Sequence, residues 1–184
     1  MNVANLKRMT AEDYAQWAER QDTGRFELID GIVVQMNAER LVHMRVKTRI
    51  SKALERALAK TKLTGEVLWD GMALRIGDKT VHEPDAMLRL GEPLSGETIL
   101  VTDPVIVVEV LSPSTGPIDT GRKLSNYFLL ETVQHYLVVD TTKRLVLHYV
   151  RGTDGLPIMR APISTGDVVL DPPGLSISIA EIFE

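Results

Sequence analysis

Apolar positions recur along this chain with two periods, and the switches between them mark out its elements. In "TAEDYAQWAER", Thr10 stands three residues before Asp13, the capping-box signature of a helix start. "RFELIDGIVVQM" is two short apolar runs around Asp30-Gly31, the residue pair that suits a type I′ hairpin. From His43 to Lys60, the residues Val46, Ile50, Ala53, Leu54, Ala57 and Leu58 recur at helical spacing. "EVLWD", "MALRI" and "DAMLRL" then predict three strands, and residues 92–104 a polar loop with Pro and Gly. "VIVVEVL", residues 105–111, is apolar with little alternation, the pattern of a strand covered on both faces.

Pro113 ends that strand, and "DTGRKLSNYFLLE" predicts a helix with Leu124, Tyr127, Phe128 and Leu130 inward. "HYLVVD" and "LVLHYV", joined by Thr141 to Arg144, predict a second hairpin, and "GLSISIAEIFE" a short strand running into a helical turn. Helices interleaved with strands in this order predict an α/β (α+β) fold, with helices flanking one mixed sheet. A chain of 184 residues without repeat or long linker is expected to form a single domain, 1–184.

Composition narrows the function classes. No apolar run reaches the roughly 18 residues of a membrane span, and the N-terminus lacks the apolar region of a secretory signal. With no cysteine there are no disulfides or thiolate metal sites, and a cytoplasmic location is the expectation. The net charge of −4 carries no global footprint for nucleic acid. Binding DNA would need a local basic surface or a divalent metal. Arg45, Lys47, Arg49, Lys52 and Arg56 make the second helix basic, either as a solvated face or as a surface for nucleic acid.

Three acids interrupt chain that the pattern places inside: Glu27 in "FELIDG", Asp85 after "HEP", and Glu109 at the centre of "VIVVEVL". A carboxylate in a dry core needs compensation. Carboxylates on neighbouring strands form an oxygen cage for a hard cation such as Mg²⁺, which takes one or two carboxylates plus waters and phosphate oxygens. Alternatively, Glu109 meets a structural Arg or Lys, Asp85 caps a turn, and Glu27 faces solvent. Lys123, at the start of the helix after "SPST", could reach back to Glu109 and stabilise negative charge, or lie exposed. Ser112, Ser114 and Thr115 offer phosphate contacts or cap chemistry. His43, His82, His135 and His148 have no zinc-site spacing, and neither a G-x-S-x-G elbow nor a Gly-rich phosphate loop is present.

"GRFELIDGIVVQM", "HEPDAMLRL", "VVEVLSPST" and "DTGRKLSNYFLLETVQHYLVVD" together resemble the successive signatures of the Uma-two family, in the PD-(D/E)XK nuclease superfamily. The resemblance runs from about Thr10 to the C-terminus. It implies a restriction-endonuclease-like core of the αβββαβ type, a central mixed β-sheet flanked by helices with a Mg²⁺ site at one side. Carried over by position, Glu27 matches the early acid, Asp85 the acid of the PD element and Glu109 that of the E-x-K element. The usual lysine position is Leu111 here, and Lys123 looks like its substitute on the next helix. Tyr127 and Asp140 match recurrent positions, expected to serve packing or turn formation.

The resulting expectation is a metal-dependent endodeoxyribonuclease. Glu27, Asp85, Glu109 and Lys123 are its catalytic residues, Asp85 and Glu109 its metal ligands, Mg²⁺ the cofactor with Mn²⁺ as the alternative ion, and DNA the substrate. The competing expectation is an inactive nuclease-fold module that binds nucleic acid or acts through a homodimer, favoured by the acidic net charge and by Leu111.

Overall fold

The capping box forms as its sequence predicts. Thr10 Oγ1 accepts from the Asp13 amide at 3.1 Å, and the Asp13 carboxylate accepts from the Thr10 amide at 3.2 Å. It opens α1 (Ala11–Ala18), whose Tyr14 hydroxyl donates to the Phe26 carbonyl at 2.6 Å and pins the helix to β1 (Phe26–Ile29). The computed structural model describes residues 8–111 and 117–184, with the backbone alone for 117–119. β1 pairs antiparallel with β2 (Ile32–Gln35). Both turn residues have positive φ, 50° at Asp30 and 81° at Gly31, as a type I′ turn requires.

The long helix is α2 (Leu41–Ala59), with Val46, Ile50, Ala53, Leu54 and Ala57 buried along one face. Five strands follow: β3 (Gly65–Trp69), β4 (Ala73–Gly77), β5 (Thr80–His82), β6 (Ala86–Leu90) and the two-residue β7 (Leu100–Val101). The apolar run becomes β8 (Pro104–Leu111), and α3 (Pro117–Tyr127) comes next. β9 (His135–Asp140) and β10 (Leu145–Arg151) form the second predicted hairpin, in which Asp140 Oδ1 accepts from the Thr142 and Lys143 amides at 3.0 and 2.9 Å. That is the turn role expected for Asp140. β11 (Pro157–Met159), β12 (Asp167–Leu170), β13 (Leu175–Ser178) and α4 (Ile179–Phe183) complete the chain.

The strands do not join in one sheet. A mixed six-stranded sheet has the order β11-β10-β9-β8-β6-β3, and a five-stranded sheet the order β2-β1-β5-β4-β7, beside a β12-β13 ribbon. The short strand β5 makes the difference, because "TVHEP" is too brief to stand out in the apolar pattern. It pairs β1 through Leu28 opposite Val81, and Pro84, which has no amide hydrogen to offer a sheet, then lets the chain cross to β6. Central mixed sheets flanked by helices are the observed architecture, as expected for α+β.

β8 is one of the two central strands of the larger sheet, antiparallel to β6 and parallel to β9. Its alternate residues Ile106, Val108 and Val110 join a cluster with Val46, Ile50 and Leu54 of α2. Val107 points the other way, into a cluster with Tyr127, Tyr136 and Val138. Each such side chain contributes about 1.5–3 kcal/mol of burial, so both faces are firmly held. Period two puts Glu109 on the Val107 face, toward α3.

A second polar pair lies in this core. His135 and His148 are buried, with His135 Nδ1 2.9 Å from His148 Nε2 and His135 Nε2 2.7 Å from the Pro172 carbonyl. A carbonyl only accepts, so His135 Nε2 carries a proton and its Nδ1 accepts from His148. Burial, then His135 and Arg160, hold His148 down to about 4, and burial lowers His135 as well. A histidine kept neutral by folding adds stability above its ordinary pKa of 6.5 that is lost as pH falls through about 4. Urea-denaturation midpoints of the wild type are therefore expected to fall between pH 7 and 4.5 more steeply than those of His148→Gln. Parallel curves would remove His148 as a cause.

Candidate active site

Glu109 is compensated from α3. Lys123 Nζ lies 2.9 Å from Glu109 Oε1, and the Tyr127 hydroxyl donates to the same oxygen at 2.5 Å. Residues four apart share a helix face, so one side of α3 delivers both groups. Lys123 sits within this helix, not at its start as the sequence suggested, and is buried. Tyr127 does pack in the core, with its ring 5.0 Å from that of Tyr136, but its hydroxyl also belongs to the site. Arg151 fixes the end of the helix, donating to the carbonyls of Phe128 and Leu130 at 3.0 and 2.6 Å.

The same ammonium reaches Glu27, with Nζ 3.0 Å from Oε1. Glu27 is buried on β1, accepts from the Glu83 amide at 3.1 Å, and has His82 Nδ1 3.4 Å from its second oxygen. Asn126 holds the far ring nitrogen of His82 at 2.9 Å. Burial pushes Glu27 up, yet His82, Lys123 and the Glu83 amide outweigh it and hold the carboxyl down to about 2. Glu109 goes the other way, pushed up to about 7 by burial; Lys123 opposes the rise, while Asp85 and Glu27 add to it. Burial lowers Lys123, but the two glutamates raise it further, so it stays an ammonium.

Asp85 stands where the chain enters β6. Its amide donates to the Val108 carbonyl at 3.1 Å, and its Oδ2 accepts from the Val110 amide at 2.6 Å. The carboxylate thus closes the β6–β8 ladder, a stronger role than a turn cap. Oδ1 meets Lys47 Nζ at 2.6 Å. Burial raises Asp85, and Lys47 with the Val110 amide opposes it. Lys47 is the residue that sequence reasoning missed. Its sequence neighbours place it with the basic face of α2, but it is buried and also bonds Glu39. The available signal was its spacing: His43, Lys47, Ile50 and Leu54 follow one another at three or four residues along the buried stripe.

Glu27, Asp85, Glu109 and Lys123 line one cavity of about 330 Å³, together with Lys47 and His43. All four residues proposed from sequence therefore meet, drawn from both large sheets and α3. Arg122 lines this cavity too. His82 lies behind Glu27, and His135 and His148 belong to the core pair described above. Ser112, Ser114 and Thr115 lie outside the described residues.

A family model described as "Putative restriction endonuclease", Uma2, matches residues 11–180. The chain belongs to the Uma2 family. An uncharacterized protein of Synechocystis, sll1609, is 30% identical over 152 residues, spanning 81% of this Uma2 chain and 84% of its own. A second from the same organism, slr1290, is 28% identical over 184 residues, spanning 98% and 94%. A crystal structure from Anabaena variabilis, described as "a putative nuclease belonging to DUF820", matches 95% of this chain and 97% of its own. Its TM-score is 0.71 at 15% identity, so the two share a fold. Among the described residues no helix of this Uma2 chain is long and apolar enough to cross a membrane.

The donor set suits a hard cation. Asp85 and Glu109 face one cavity and raise each other's energy as anions, which a divalent ion would relieve. Two carboxylates on one cavity match what an ion such as Mg²⁺ takes from a protein, one or two carboxylates beside its waters.

Lys47 makes this arrangement affordable, because its loss strands Asp85 as a buried charge. Lys47→Met is expected to cost about 3–5 kcal/mol in urea denaturation. Adding Asp85→Asn should recover most of it, and additive losses in the double variant would show that the pair is not coupled.

Proposed function

We propose that this chain is a nuclease that hydrolyses DNA phosphodiester bonds with the help of a divalent ion. The observation that carries the reading is the position of Lys123 Nζ, 3.0 Å from Glu27 and 2.9 Å from Glu109, in the cavity that Asp85 also lines. Asp85 and Glu109 would hold Mg²⁺, or Mn²⁺ in its place. When bound, such an ion supplies positive charge at the scissile phosphate and lowers the pKa of a coordinated water.

The protein's own groups do the rest. Lys123, kept charged by two glutamates, offers ammonium hydrogens to a phosphate oxygen and orients the attacking water. Glu27 and Tyr127 hold the Lys123–Glu109 pair in place from opposite sides. Lys47 and the Val110 amide fix Asp85, so the two carboxylates keep their spacing without substrate. Water adds to phosphorus, the bond to O3′ breaks, and the products are a 5′-phosphate and a 3′-hydroxyl. A proton is lost from the water and one is gained by the leaving oxygen.

A second reading is an inactive nuclease-fold module that binds nucleic acid or pairs with a second copy. It is favoured by the same ion pairs, since Asp85 is already paired with Lys47, and Glu27 and Glu109 with Lys123. Cleavage of supercoiled plasmid and duplex oligonucleotide in Mg²⁺ or Mn²⁺ separates the two. Wild type should nick DNA and lose activity on chelation, while Glu109→Gln, Asp85→Asn and Lys123→Met each fall by about a hundredfold or more. Variants that remain folded and as active as wild type would refute these roles. DNA binding without cleavage by any of the proteins would favour the inactive module.

A further inference from the structure

The first turn of α2 lacks the groups that usually close a helix N-terminus. Its N-cap, Arg40, makes no side-chain hydrogen bond to the turn, and the turn carries no acidic residue. The His43 and Met44 amides both turn to the Arg40 carbonyl, and among the described residues no acceptor takes those of Leu41 or Val42. Free amides and the positive end of a 19-residue helix favour an anion.

His43 is the independent sign that a ligand belongs here. It is only 2% exposed, and neither ring nitrogen has a hydrogen-bond partner. A buried imidazole with both nitrogens unpaired is costly, and a native structure rarely keeps such a group without a use for it. His43 and Arg40 line the cavity that holds Asp85, Glu109 and Lys123. Glu39, the nearest acid in the chain, is engaged by Lys47 and by Arg25 at 3.0 Å, so its charge does not repel an incoming anion unopposed.

We propose that the first turn of α2 is a phosphate subsite. It takes a backbone phosphate of the nucleic acid next to the one cut, with the Leu41 and Val42 amides and the His43 ring as donors and Arg40 as the counter-charge. The nuclease reading supplies the source of the phosphate; the anion site itself stands on the helix end and His43.

The test uses the full chain, ¹⁵N-labelled and free of metal, titrated with inorganic phosphate. The Leu41 and Val42 amides and the His43 ring nitrogens should shift saturably, and Arg40→Glu should abolish the response. With duplex oligonucleotide, His43→Phe and Arg40→Glu should each weaken binding about tenfold, and Arg40→Glu should also flatten the salt dependence. His43→Phe should melt at or above the wild-type temperature, since it removes an unpaired polar group. A clear fall in its melting temperature would overturn the assignment of His43, because a structural histidine behaves that way. No shifts with phosphate would overturn the subsite even if DNA is cut. Shifts with unchanged duplex affinity would overturn the backbone source. Shifts and duplex affinity that behave as expected, in a protein that cuts nothing, would uphold the subsite and sink the nuclease reading alone.

Discussion

One ammonium shared between two carboxylates organises this molecule. Lys123 meets Glu27 from the five-stranded sheet and Glu109 from the six-stranded sheet, so a single charge ties both sheets to α3. None of the three could be left alone in that position, because an uncompensated charge in a low-dielectric interior costs several kcal/mol. Arg151 holds the end of α3, and the Tyr127 hydroxyl bonds the carboxylate that the ammonium meets.

The two glutamates end up chemically unequal although they share a partner. Glu27 has a histidine and an amide in addition to Lys123, and is held down to about 2. Glu109 is desolvated and has Asp85 and Glu27 beside it, and is pushed up to about 7. The cavity thus holds one firmly ionised carboxylate and one whose protonation answers readily to the charges around it. Asp85 is tuned separately, by a lysine from α2 and by the amide of Val110.

Leu111 explains why the lysine comes from a helix. It lies two residues after Glu109 on the same strand, hence on the same face, and packs against the cluster that contains Tyr127 and Tyr136. A side chain from the strand would have to give up that packing to reach the carboxylate. α3 already crosses this face, and a lysine one turn before Tyr127 arrives without disturbing the core.

Much of this could be read from the residues. The capping box, the Asp30-Gly31 hairpin, the buried run of β8 and the β9–β10 hairpin are local matters of periodicity and turn chemistry, which neighbours in sequence decide. Glu27, Asp85 and Glu109 stood out because charge in an apolar run demands a partner. The division into two sheets rests on β5, three residues whose pairing is settled by distant strands. Lys47 was lost among five similar basic residues, since composition alone does not say which side of a helix meets a carboxylate. What the sequence determined by itself was where charge had to be compensated; the tertiary structure decided by which group, because an ion pair forms only between atoms that the packing of distant elements brings within about 3 Å.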